Sequence, residues 1–189
     1  MIAFLAFLAG YSALRYWAES RPAPTSQLLR VVWFVAITTY EWTLLRDKDW
    51  LPEFLGGRGD DAILHQAWDP DLSMLYQLQL AYHLQSMLFS LWQGAKAEMH
   101  VHHAITVLLV TISLAFGYLR FGTVVFFVHD VPDISGYLMK AAVEAQAKKV
   151  LMLAFTLLVI TWVRLCKTSM YHVMSIGQCI GIVHVVGQC

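Results

Sequence analysis

The sequence predicts an all-α integral membrane protein, and three observations lead there. Of its 189 residues, 58% are hydrophobic and 14% charged, and the mean hydropathy is +0.56. A soluble domain usually carries about a quarter charged residues. Apolar runs of spanning length recur along the chain. Polar residues inside those runs form short stripes, which in lipid line a shared interior rather than face the tails. Backbone polar groups must be paired within lipid, so helices are the expected spanning form.

Taken in order, the candidate spans are 1–18, 28–46, 72–93, 103–119, 121–139, 150–166 and 172–189. The first has no basic residue ahead of its apolar run and reads as a transmembrane helix or signal anchor rather than a cleaved leader. ESRPAPTSQ at 19–27 is a polar loop whose prolines stop that helix, and Thr25 or Ser26 offers an N-cap for the second. The second span carries Glu41; the third carries Gln77, Gln79, His83 and Gln85. Residues 47–71 hold Asp47, Asp49, Glu53, Asp60, Asp61, Asp69 and Asp71, and read as a solvated acidic loop with turns at Gly56, Gly57 and Gly59. The last span is the weakest, interrupted by His172, Gln178 and His184.

Charge and cysteine content exclude several classes. Thirteen basic and thirteen acidic residues leave no net field to attract nucleic acid. Cys166, Cys179 and Cys189 give neither a disulfide framework nor a zinc spacing, and read as small buried hydrophobes. Seven basic residues in one set of alternate loops (Arg15, Arg21, Arg30, Lys96, Lys140, Lys148, Lys149) face six in the other, which leaves orientation open.

Chemistry concentrates in Glu98–Lys140, where polar side chains come as two bursts, HVHH at 100–103 and HDVPD at 129–133. On a helix, residues three or four apart share a face. Glu98 and His102 are so related, which would let the carboxylate fix the imidazole tautomer. His129 and Asp133 are four apart, Asp130 and Asp133 three apart, and Tyr137 and Lys140 continue the His129–Asp133 face. Pro132 removes one donor, so a kink is expected beside the pair. So many ionisable groups are a poor device for packing alone and point to a site. The repeated histidine boxes of membrane di-iron enzymes are missing, and a zinc site from His102, His129 and Asp133 is the remaining metal alternative. The reading adopted assigns no metal.

These residues carry a resemblance. EMxxHH at 98–103, RxGT at 120–123, HDxxD at 129–133 and Lys140 resemble the longevity-assurance (Lag) motif of ceramide synthases, within the TLC domain. LLRDKDWL at 44–51 and YQLQLAYHL at 76–84 extend it, so that it covers roughly 28–168. The sequence departs from the family pattern at Gln93, Gly94, Ala95 and Lys96, at Tyr137, and near Ser169.

The resemblance implies a single TLC-like transmembrane domain over 1–189, a bundle of about six to seven helices around a polar-lined tunnel. It implies an acyltransferase of sphingolipid biosynthesis in the endoplasmic reticulum membrane, N-acylating a sphingoid base with a fatty acyl-CoA to give ceramide. The acyl-CoA is a co-substrate and no cofactor is expected; homo- or hetero-dimers are open. His102, His103, His129, Asp130 and Asp133 would be catalytic, by acid–base chemistry or through an acyl-imidazole. Glu98, Arg120 and Lys140 would bind substrate, the two cations at the CoA phosphates unless they only anchor helix ends. The alternative is a non-catalytic TLC-domain protein that binds or senses lipid or escorts cargo.

Overall fold

A computed structural model describes residues 2–58, 61–64, 68–94 and 97–180; side chains at 2, 3, 54, 61, 62, 98, 99 and 165–180 are left aside. Among the described residues the chain is all-helical, with no strand. The helices are α1 (Ile2–Glu19), α2 (Thr25–Leu45), α3 (Pro70–Trp92), α4 (Ala97–Ala115), α5 (Leu119–Glu144) and α6 (Lys148–Ile180). Six of the candidate spans correspond to these helices. The seventh is corrected as far as it is described: α6 continues through residues 167–171, where a turn was expected, to Ile180. Residues 181–189 lie outside the described residues, as do Lys96 and the side chains of Glu98, Cys166 and Ser169. By length and composition, Thr25–Leu45 is the helix apolar enough to cross a membrane among the described residues, and His100–Ala115 is apolar but shorter. Polar residues interrupt the apolar runs of α3 and α5.

Local chemistry sets the helix ends. Asp69 caps α3, its Oδ1 accepting from the backbone N–H groups of Asp71 and Leu72 at 2.9 and 3.4 Å, and Pro70 opens the first turn. The expected cap on α2 is absent: Thr25 Oγ1 donates to the Pro22 carbonyl at 2.8 Å, and Pro24 holds the N-cap position. Gly117, at φ 75°, closes α4 in a Schellman turn, with Tyr118 N–H on the Ser113 carbonyl and Gly117 N–H on that of Leu114. The α5–α6 turn repeats the geometry with Gln146 in the left-handed position, at φ 54°. Both turns are tight, so α4, α5 and α6 run antiparallel.

At the upper end of the bundle α1, α3 and α5 finish and α2, α4 and α6 begin. Gln27 donates to Glu144 at 2.8 Å there, Arg30 pairs with Glu19 at 3.2 Å, and Tyr16 meets Trp92 at 6.0 Å. Tyr11, Phe34, Ile37, Leu75 and Tyr82 form one core, in which Trp33 stacks on Tyr82 at 5.1 Å. Leu72, Tyr76, Val110, Leu119 and Phe126 tie α3, α4 and α5 together. The acidic loop is not merely solvated. Its Leu51 and Ile63 are buried against Leu45 and Val124, while Asp47, Asp49 and Glu53 stay exposed.

Gly122 is a point of close contact. A Cβ there would lie 1.7 Å from the Tyr76 hydroxyl, which is held by Ser113 Oγ at 2.7 Å and the Tyr118 carbonyl at 3.1 Å. Thr123, fully buried, donates to the Leu119 carbonyl at 2.7 Å. The Gly-Thr of the RxGT segment thus packs α5 on α3 and α4.

Candidate functional site

The α4–α5 hairpin brings the two polar bursts to one level. His102 lies 13 residues before the end of α4 and Asp133 lies 14 after the start of α5, about 20 Å from the turn in each case. His102 is accordingly close enough to His129 and Asp133 to act on their charge. His102, His129 and Asp133 are exposed, whereas His103 is half-buried with an unpartnered Nδ1. The rings of His102 and His103 lie 5.4 Å apart. Asp133 also feels Lys140, whose Nζ sits 4.5 Å from the centre of the Tyr137 ring. Helix α5 runs unbroken through Pro132.

Asp130 faces the other way. It is 3% exposed and accepts from Gln79 Nε2, which also donates to Glu41 Oε1 at 2.9 Å. Glu41 and Gln79 have no exposed surface, and Glu41 Oε2 and Gln79 Oε1 have no partner. One amide therefore joins carboxyls from α2 and α5. Both residues stand out in the sequence as polar interruptions of apolar spans, but their partnership across 38 and 51 residues is invisible there.

His83 of α3 completes the arrangement. It lies within electrostatic reach of His102 and His103, and its Nδ1 is buried without a partner. Gln79, His83 and Ser86 follow one another at helical spacing, which puts them on one stripe of α3. The Glu98 side chain lies outside the described residues, so its expected contact with His102 does too. Among the described residues no group of three or more His, Cys, Asp or Glu is placed to hold a metal ion.

Arg120 and Lys140 stand apart. Twenty residues separate them on α5, about 30 Å of helix. Arg120 lies over the Trp50 ring at 5.5 Å, at the lower end, while Lys140 belongs to the upper end near the histidines. The two cannot meet one phosphate group together. Among the described side chains the upper rim carries Arg15, Arg21, Arg30, Lys140, Lys148 and Lys149 against Glu19 and Glu144. The lower rim mixes Arg46, Lys48, Arg58 and Arg120 with Asp47, Asp49, Glu53, Asp69 and Asp71.

Comparison with known proteins points to one family. Ceramide synthase 1 of Mus musculus is 37% identical over 68 residues, which cover 34% of this chain and 19% of that protein. ASC1-like protein 1 of Oryza sativa subsp. japonica is 27% identical over 152 residues, 74% of this chain and 47% of that protein. Sphingosine N-acyltransferase-like protein FUM17 of Gibberella moniliformis is 28% identical over 119 residues, 60% of this chain and 30% of that protein. The chain thus spans less than half the length of each of these curated relatives. No solved structure matches. The family profile TRAM_LAG1_CLN8, the TLC domain, matches residues 25–184, and the chain belongs to that family.

Proposed function

We propose that the protein is a multi-pass membrane acyltransferase, of the endoplasmic reticulum, that moves a fatty acyl group from CoA to the amine of a sphingoid base. The observation that carries this reading is the level placement of His102 with His129 and Asp133 by the α4–α5 hairpin, in a chain whose relatives include proteins named for ceramide synthesis. The membrane setting is supported by Thr25–Leu45 and by the apolar outward faces of α4 and α6, where Val101, Ile105, Leu108, Leu109, Phe155 and Trp162 are exposed.

The reaction needs few groups. The ammonium of the base loses a proton to a neutral imidazole, and the freed amine attacks the thioester carbonyl. The carbon–nitrogen bond forms, the carbon–sulfur bond breaks, and the nitrogen's second proton passes to the leaving thiolate, which becomes CoA. His102 is the accessible base. Asp133 holds the incoming ammonium or the imidazolium that forms, and His129 and His103 flank it. Lys140, at the upper rim beside Asp133, is the cation suited to CoA phosphates. Both lipid tails stay in the bilayer or against apolar helix faces while their heads meet at this polar level.

The test is direct. Detergent-purified protein is given sphinganine and a fatty acyl-CoA, and the lipid product is measured by mass spectrometry. Ceramide with release of CoA is expected. Folded, membrane-competent protein that forms none across a range of chain lengths would leave a lipid-binding TLC-domain role instead.

A further inference from the structure

One corner of the upper end holds a cation that the reaction above does not use. Arg15 of α1 is 5% exposed, and its guanidinium lies over the Phe89 ring at 4.4 Å. Nη1 donates to Gln85 Oε1 at 2.8 Å and to Ser86 Oγ at 3.1 Å. Both bonds leave from Nη1, and Nε is buried without a partner. The Nε2 donor of Gln85, itself 3% exposed, is likewise buried and unpartnered. Among the described residues no carboxylate lies within ion-pair distance of Arg15; Glu19, one turn further on, pairs with Arg30. Among the described side chains, two arginines and one glutamate leave this corner with a surplus positive charge. A buried cation without a counter-ion is costly, and so are buried donors left unbonded.

Against Gln85 runs a groove between α1 and α3 of about 510 Å³, and the guanidinium lies one side chain behind its wall. Gln85 and Phe89, which flank the guanidinium, also line the groove, together with Ala13, Tyr16, Leu88 and Trp92. Its walls are mainly apolar. Tyr16 and Trp92 close its upper end, and such aromatic pairs favour the boundary between headgroups and tails. Arg15 sits four residues below the end of α1, about 6 Å of helix, which is the depth of that boundary. Helix α1 precedes residues 25–184, the part that matches the family.

We infer that this groove holds an acyl chain of an anionic phospholipid from the surrounding membrane, with the phosphate drawing the amide of Gln85 and then the free edge of Arg15 out to meet it. The edge carrying Nε is the fork that grips a phosphate at two points, which a lysine ammonium cannot do. The surplus charge selects a lipid that is net negative over a zwitterionic one. The apolar walls take the chain, and the headgroup meets the donors at the depth where phosphates lie. The inference rests on the membrane reading but not on acyl transfer. A protein without acyltransferase activity that retains the lipid keeps it, and an active protein that retains none loses it.

The experiment uses the full chain in nanodiscs of phosphatidylcholine alone or mixed with phosphatidylglycerol, and native mass spectrometry counts the lipid carried out with the protein. Phosphatidylglycerol should be retained in preference to phosphatidylcholine. Arg15→Gln and Arg15→Lys should each cut that retention about tenfold. Because an Arg15 variant risks misfolding, Ala13→Trp, on the exposed wall, serves as a second test: it fills the groove, leaves the guanidinium in place, and should lower retention as much. Equal retention of both lipids by the wild type, or unchanged retention in folded Arg15→Gln or Ala13→Trp protein, would overturn the inference. So would one-for-one displacement of phosphatidylglycerol by inorganic phosphate or by a fatty acyl-CoA, which would assign the edge to a free anion or to the acyl donor.

Discussion

Asp130 and Asp133 lie three residues apart on α5 and keep different company: Asp130 is buried against the Gln79 amide, and Asp133 is exposed within electrostatic reach of His102 and Lys140. Their substitutions should therefore fail differently. Asp133→Asn should lower turnover by at least about 100-fold with little change in thermal unfolding; triad-type orienting carboxylates set an upper guide of about 10⁴-fold. Asp130→Ala removes one acceptor from a buried amide and opens a cavity. It should cost about 3 kcal/mol of stability, read as a large fall in unfolding temperature in detergent. Both measurements on the same samples decide the matter, and a stable Asp130→Ala protein would reject the buried role.

The histidine pair is open to a sharper test. His102 is exposed and His103 Nδ1 is unpartnered, so removal should leave the fold intact. His102→Ala should reduce ceramide formation by about 100-fold or more, the usual scale of a lost acid–base group. Membrane yield and unfolding temperature should stay near those of the wild type. Near-normal product from the double His102→Ala, His103→Ala protein would exclude the pair from the chemistry.

Lys140 and Arg120 should separate by kinetics. About 30 Å of helix lies between them, so under the proposed reaction only the residue at the upper end reaches the donor. Lys140→Ala should raise the KM for acyl-CoA several-fold, and added salt should blunt the difference between variant and wild type. Arg120→Ala should leave that KM unchanged and act on stability, through its contact with Trp50. The opposite pattern would place the donor at the lower end.

Glycines of α5 offer a test of packing alone. Gly122→Ala drives a methyl into a hydroxyl held by two hydrogen bonds, and should cost about 2 kcal/mol or more. A Cβ at Gly136 meets nothing within 4 Å, so Gly136→Ala should be neutral or stabilising by up to about 1 kcal/mol. Thermal unfolding of the two variants in one detergent gives the comparison.

Gln146 holds a left-handed conformation that glycine adopts freely. Gln146→Gly should raise stability by about 0.5–1 kcal/mol while leaving turnover alone. A lower unfolding temperature would show that the Gln146 side chain contributes more than its backbone costs.

What the sequence made legible follows from local physics. Apolar runs locate the helices because their length and composition are local properties, and the HDVPD spacing locates Asp130 and Asp133 on one helix for the same reason. Spacing does not say which neighbour each residue meets. Asp130 turns to Gln79 because α3 packs beside α5, a fact of tertiary structure. Arg15 looks like a loop cation by count, yet α1 continues past it to Glu19 and α3 supplies buried acceptors. The break expected between the last two spans lay at residues 167–171, and helix α6 runs through that segment to Ile180 without a turn.

The stripe on α3 has a consequence beyond packing. Below His83 it ends in spare acceptors, Glu41 Oε2 and Gln79 Oε1; above it ends in spare donors, Arg15 Nε and Gln85 Nε2. The side chains along it, from α1, α2 and α3, thus differ in what they lack: an acceptor towards the rim and a donor towards the floor, with an imidazole between. Satisfying one end does nothing for the other, so substitutions at the two should act on stability independently.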